Sequence, residues 1–382
     1  MTNVLIAGSG VAAVEAALAL HALAGDRVGL ELLAPAAELH ERPWSVLTPF
    51  GAEAAPRIDL GGLVHELGMR WHRDSLDAVE ADTHTVFTRG GERLHYEILV
   101  VATGARSRES IPGAVTFRGP LSAGAVEGVL ERAAGDPDLR LVFTAPAGVT
   151  WPLPLYELAL MSSAYLREHG GAAPDITIVT PEHGPLAMLG VAPAESVGEV
   201  LASSNVRLIT DAVPEAAIDG ALRLRGGGMV DGDVVIALPE VVGPRIAGLP
   251  RDGDGFVPVD LHGRVHERED VFVAGDATNF AIKHGGLATQ QADAVAEAIA
   301  LQVGAIGTAR PFHPVVRAML LAGDMPLYIR SDLNTRQAVV SREPLWSPLD
   351  KIAGTYLSPY LVVAEATGAT LVDTALTPRQ ER

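Results

Sequence analysis

The sequence predicts an α/β protein built on parallel sheets, and three observations predict it. An apolar run, a glycine turn and an alanine-rich helical stretch follow one another at the start of the chain. A second apolar run ends in Gly275-Asp276. Between them lies another region of alternating strand-like and helix-like segments, the pattern that gives parallel sheets covered by helices on both faces.

Val4-Leu5-Ile6-Ala7 has the continuous apolar character of a buried parallel strand. Gly8-Ser9-Gly10 is the turn, Val11 to Leu23 the helix, and Gly25-Asp26 its end. Arg27 to Leu33 reads as a second strand, which completes a βαβ unit. Gly8 to Ala13 fits the pattern G-x-G-x-x-G/A. Gly8 permits the tight turn, Gly10 lets the backbone approach a pyrophosphate, and Ala13 keeps helix and strand close. The helix start at Val11 and Ala12 offers free N–H groups and a partial positive charge to phosphates. This is a dinucleotide-binding turn. The acidic residue expected about twenty positions further on to hold a ribose is Glu31, unless Glu31 is a mid-strand charge and Ala34 marks the strand end.

Ser75 to Leu94 alternates short β-like runs with polar turns and predicts a small antiparallel meander. Tyr96 to Ala102 is another buried strand, closing in Thr103-Gly104. The second region follows, with strands at Leu139–Thr144, Asp175–Thr180 and Val206–Thr210. Helices are expected at Leu155–Glu168 and Pro193–Ser203, and short strands around glycine-rich turns at 212–240. Val271 to Ala274 is a strand that carries Asp276 to the carboxyl edge of a parallel sheet, where ligands bind. Gly286 to Val303 is a long helix. Residues 311–382 hold several prolines and Trp346, and no placement follows from their pattern.

With 382 residues the chain has room for two domains and an appendage. A formal net charge of −18 excludes a nucleic-acid partner of the usual basic kind and argues against contact with anionic membranes. It suits a cytoplasmic protein kept in solution by its charge. No cysteine is present, which removes thiolate catalysis, disulfides and cysteine-held iron–sulfur clusters. The histidines are scattered and predict no metal site. Neither a signal peptide nor a transmembrane run is expected. The short apolar stretch Tyr356–Val363 reads as a packed C-terminal element or as a shallow surface for a partner or lipid.

The glycine turn, Ala102-Thr103-Gly104 and Ala274-Gly275-Asp276 together resemble the FAD-dependent pyridine nucleotide–disulfide oxidoreductase superfamily. Within it the chain looks most like the branch of sulfide:quinone reductase, flavocytochrome c sulfide dehydrogenase and type II NADH dehydrogenase. Arg42-Pro43, Pro154-Leu155-Tyr156-Glu157 and Lys283-His284-Gly285-Gly286-Leu287-Ala288-Thr289-Gln290-Gln291 carry that narrower resemblance. It implies two Rossmann-like dinucleotide-binding domains, the FAD domain discontinuous at 1–115 and 251–310. A second domain would be inserted at 116–250, and a C-terminal segment would follow at 311–382. It implies further that Asp276 contacts the ribityl chain of FAD and that Arg42-Pro43, Ala102-Thr103-Gly104 and Gly275 line the cofactor. The helix starting at Gly286 and Leu287 would point its N–H groups at the flavin pyrimidine edge. Lys283, one of two lysines in the chain, would add a positive charge there or be a solvated loop residue. Glu157 would be a base or proton carrier, or else a capping or surface residue.

The chain departs from that family in two ways. Val149-Thr150-Trp151 stands where a sulfur-carrying cysteine is expected, so sulfide oxidation by that route is excluded. The second-domain turn is Ala145-Pro146-Ala147-Gly148, a poor phosphate cradle because proline lacks an N–H. NAD(P)H therefore stays open as a donor without a second fingerprint to hold it. The expected activity is electron transfer from a small reductant through FAD to a quinone or other acceptor. The alternative is a flavoprotein subunit without turnover of its own. The C-terminal segment is expected to cover the flavin or to form a homodimer surface.

Overall fold

The computed structural model describes residues 1–40, 42–52, 57–170, 174–323 and 325–367. Strand β1 (Thr2–Ala7) leads through the glycine turn into helix α1 (Val11–Ala24) and strand β2 (Val28–Leu33). Strand β3 (Arg70–His72) follows, then the three-stranded antiparallel meander expected at this point, then β4 (Ile98–Val101). The chain next enters a second sheet through β5 (Val115–Thr116), β6 (Arg140–Thr144), helix α2 (Leu153–His169), β7 (Asp175–Val179), β8 (Val206–Ile209) and β9 (Val234–Ala237). It returns to the first sheet with β10 (Val271–Val273) and helix α3 (Gly285–Gln302). Strands β11 (Val315–Leu320), β12 (Leu327–Asp332) and β13 (Gln337–Ser341) and helix α4 (Leu357–Thr367) complete the described chain.

Both large sheets are wholly parallel. The first has the order β10-β4-β1-β2-β3 and the second β5-β9-β6-β7-β8. Two Rossmann-like units are therefore present, and the last strand of the first is supplied only after the second is finished. The apolar runs follow from this. Val4, Leu5, Ile6 and Ala7 are fully buried because helices or loops cover both faces of the sheet.

Register positions the site. Ala7 lies beside Leu33 on one side and Val101 on the other, and Val101 lies beside Val273. The next residues along each strand bring Gly8, Ala34, Ala102 and the Ala274-Gly275-Asp276 turn to one carboxyl edge. Motifs some 270 residues apart in sequence are thus gathered by strand pairing alone.

The C-terminal segment packs on both units. Val316, Ala318, Leu320, Leu327 and Ile329 belong to the second unit's core, with Tyr156 and Leu158 of α2. Leu357 and Leu361 of α4 pack with Val14 and Leu18 of α1. Glu15, fully buried on α1, accepts the backbone N–H of Tyr356 at 2.8 Å and of Leu357 at 2.7 Å, which satisfies donors at the start of α4. Tyr356–Val363 is thereby a packed element, although Val362 and Val363 face outward.

Candidate functional site

Gly8 has φ of +143°, and a Cβ there would lie 2.1 Å from the carbonyl oxygen of Ala102. The first glycine therefore packs against the Ala102-Thr103-Gly104 turn, and no larger residue fits. At Gly10 an added Cβ would meet nothing within 4 Å. The second glycine faces open space at the N-terminus of α1, where the N–H groups of Val11 and Ala12 have no helical partner, while that of Ala13 turns back to the Gly10 carbonyl at 3.0 Å. Ala12 and Ala13 are buried beneath it, and Val11 is partly so.

Gly275, with φ of +76°, sits between two helices. A Cβ there would lie 3.0 Å from the Cβ of Ala12 and 3.4 Å from that of Ala288. Its N–H donates to Oε1 of Gln291 at 2.8 Å. The turns after β1, β4 and β10 and the starts of α1 and α3 thus form one cradle. Asp276 lies at its edge, half-buried. Burial raises its pKa, against the opposing pull of Lys283 and Arg42. That pull brings Arg42, which is exposed, and Lys283 within electrostatic reach of the aspartate.

Lys283 is buried rather than solvated. Its Nζ donates to the carbonyl of Thr278 at 2.5 Å and lies 3.8 Å from the ring centre of Phe256. Burial lowers its pKa to about 8, opposed by Asp276 and Asp252. His284 precedes α3, is buried, and meets Trp151 edge to face with ring centres 4.7 Å apart. Its pKa is lowered to about 4 by burial, then by Lys351 and Arg317, so the ring is neutral at physiological pH. Its Nδ1 is buried without a hydrogen-bond partner. Gly286 and Leu287 form the buried first turn of α3, and Ala353 lies against Gly286.

Glu157 neither caps its helix nor meets solvent. Its side chain is 1% exposed, and Oε1 accepts from Lys351 Nζ at 2.6 Å and from the Leu321 N–H at 3.0 Å. Burial pushes the carboxyl pKa up, and Lys351 opposes the shift. Lys351 also reaches the Pro43 carbonyl at 3.3 Å and lies 5.5 Å from the Trp44 ring centre. Trp44 Nε1 donates to Asp350 at 3.0 Å. One buried lysine therefore ties the Arg42-Pro43 loop, α2 and the C-terminal segment together. Sequence reasoning missed it; the signal was there in the scarcity of lysine.

Glu31 is engaged mid-strand. It contacts His72 Nε2 at 2.6 Å and Arg70 at 3.3 Å, and its strand runs on two residues to Leu33. Ala34, just past that end, is fully buried. In the second unit, Glu182 follows β7 where a dinucleotide fold places its ribose-binding acid. Here Tyr156 from α2 donates its hydroxyl to that carboxylate at 2.5 Å. Pro152 and Pro154 stand at the start of α2, where Pro154 withdraws an N–H that a phosphate could use. Among the described residues no cluster that could hold a metal ion is present, and no helix is long and apolar enough to cross a membrane.

No protein-family model matches the chain. NADH dehydrogenase-like proteins of two Mycobacterium tuberculosis strains, CDC 1551 / Oshkosh and ATCC 25618 / H37Rv, are 27% identical over 297 residues and 26% over 292. Each match covers 72% of this chain and 72% of the relative. The sulfide:quinone oxidoreductase of the hyperthermophilic bacterium Aquifex aeolicus superposes with a TM-score of 0.83 over 100% of both chains at 19% identity. A ferredoxin reductase of Rhodopseudomonas palustris gives 0.66 at 19% identity, covering 86% of this chain and 82% of its own. The fold is thus shared with the sulfide:quinone oxidoreductase over the whole length and with the ferredoxin reductase over 86% of this chain, which itself holds no cysteine.

Proposed function

We propose that the chain is an FAD-dependent oxidoreductase that passes electrons from a small reductant to a quinone or other small acceptor without cysteine chemistry. The observation that carries this reading is the cradle in which Gly8 meets Ala102, Gly10 faces open space, and Gly275 is wedged between Ala12 and Ala288. Such a cradle fits a dinucleotide, because backbone rather than side chains forms its floor. FAD, when bound, supplies two-electron transfer.

The chain's own residues would do the rest. Gly10 and the N-terminus of α1 receive the pyrophosphate. Asp276 accepts hydrogen bonds from the polyol, with Arg42-Pro43 and Thr103-Gly104 beside it. Lys283 and the start of α3 at Gly286 and Leu287 favour negative charge nearby. Trp151 and His284 wall off water. Lys351 Nζ holds a proton against Glu157 Oε1, from which it can be delivered in a dry site. Glu31, or else Ala34 at the strand end, would take the ribose, with the Glu31 carboxylate held in place by His72 and Arg70.

For the second unit, the Tyr156–Glu182 bond and Pro154 support weak nicotinamide binding at best, so NAD(P)H is the less favoured donor. The division proposed is 1–115 with 251–310 for the FAD domain, 116–250 for the second domain and 311–382 for the C-terminal segment, although β5 straddles the first boundary and pairs in the second sheet. The test is anaerobic: reduce the holoprotein photochemically, then add a quinone while recording the visible spectrum. The flavin bands should return within seconds. Bands that stay bleached with quinone, and then with oxygen, would favour a subunit without turnover. In a parallel sample, bleaching by NADH within seconds would reinstate nicotinamide as the donor.

A further inference from the structure

The antiparallel register of β11 and β12 sets Arg317 directly opposite Arg330. Val316, Ala318 and Ile329 point into the core, so alternation puts both arginines on the other face. Like charges directly opposite on neighbouring strands repel. Arg317 is also partly buried, and burial together with Arg330 lowers its pKa. Among the described residues neither guanidinium makes a hydrogen bond or an ion pair. Asp332, the carboxylate two residues along, is already taken up by His313 and by the N–H groups of Asn334 and Thr335. A chain with 47 acidic and 29 basic residues could readily have offset this pair and has not done so.

The pair adjoins the site. Val315, two residues before Arg317, exchanges hydrogen bonds of 2.9 and 3.0 Å with Gln290 in the opening turns of α3. Arg317 acts electrostatically on His284, whose buried Nδ1 lacks a partner. Tyr328 stands on the same face, edge to face with Trp346 at 5.6 Å, and supplies an aromatic wall.

We propose that Arg317 and Arg330 anchor an oxyanion (a carboxylate, phosphate or sulfonate) on the small redox substrate of this site. The inference rests on the oxidoreductase reading for the identity of that substrate, and it makes the substrate anionic rather than neutral. Guanidinium forks match oxyanions in two-point geometry, and the anion relieves the repulsion between the arginines.

The test is equilibrium dialysis of the oxidised holoprotein against 1,4-naphthoquinone-2-sulfonate and against its neutral parent, 1,4-naphthoquinone. The sulfonate should bind roughly tenfold or more tightly, the scale of one hydrogen bond to a charged group. Arg317→Gln should abolish that preference while leaving the neutral quinone's affinity within about twofold, and Arg317→Lys should keep part of it. Arg330→Gln, at an exposed position, should reduce the preference severalfold and provides a variant whose folding is not in question. Equal affinities in the parent protein, or a preference untouched by both glutamine substitutions, would overturn the proposal. The visible spectrum of the same samples separates the two readings. A colourless chain counts against the flavoprotein assignment, and a yellow chain without anion preference counts against the anchor alone.

Discussion

Removing the Lys351 charge while leaving Glu157 in place strands a carboxylate whose side chain is 1% exposed. Breaking a buried pair from one side costs about 3–5 kcal/mol, whereas replacing both members is often neutral. Lys351→Met should therefore destabilise the chain by about that amount when Glu157 is charged. Glu157→Gln combined with Lys351→Met keeps an oxygen for the Leu321 N–H and should return to within about 1–2 kcal/mol of the parent. The pH dependence has a definite sign. Burial already raises the Glu157 pKa, and Lys351 holds it back. Without the lysine the folded chain keeps a proton that the unfolded chain gives up above about pH 4.5, so stability falls as pH rises through that window. The single-variant penalty should be small near about pH 5 and grow toward about pH 8. Urea unfolding followed by tryptophan fluorescence measures this, with Trp44 next to the pair. A Lys351→Met penalty under about 1 kcal/mol at every pH, or a double variant equal to the sum of the singles, would refute the argument.

Two further outcomes follow from the same kind of reasoning. Glu15, beside Asp293, has its pKa raised to about 8, chiefly by burial and then by that neighbour. The stabilisation from its protonated form is complete below the unfolded value and is lost as pH rises toward about 8; Glu15→Gln should flatten that fall in urea midpoints, and an unchanged slope would remove Glu15 as its source. Gly8→Ala drives a methyl group into the Ala102 carbonyl from a φ of +143°, which costs about 2–6 kcal/mol from backbone strain and overpacking together; thermal melting should show a clear drop, and an unchanged midpoint would mean that the two turns are not in contact.

The strands were legible because burial on both faces makes them unbroken apolar runs, as at Val4–Ala7 and Val271–Val273. The cradle was legible because each turn carries its own local constraint: Gly8 and Gly275 allow backbone that a side chain would forbid. Helix α2 begins two residues before the expected Leu155 because Pro154, which looks like a breaker, is tolerated in a first helical turn. What stayed hidden depends on distant partners. Lys351 is 194 residues from Glu157, and Tyr356 is 341 from Glu15, so no spacing rule joins them. The β11–β13 sheet was unreadable for a related reason. Its inner face packs into the second unit's core, with Tyr156 and Leu158 of α2.

On the reading proposed above, Gly10 and its neighbours hold FAD. The direct measurement is the visible absorption spectrum, with flavin-to-protein stoichiometry, of the parent chain and of Gly10→Val after both have been incubated with FAD and desalted. The parent should be yellow with about one flavin per chain and the variant colourless yet folded by circular dichroism, since a side chain at Gly10 points into open space and disturbs no protein contact. A colourless parent, or a variant as yellow as the parent, would contradict it.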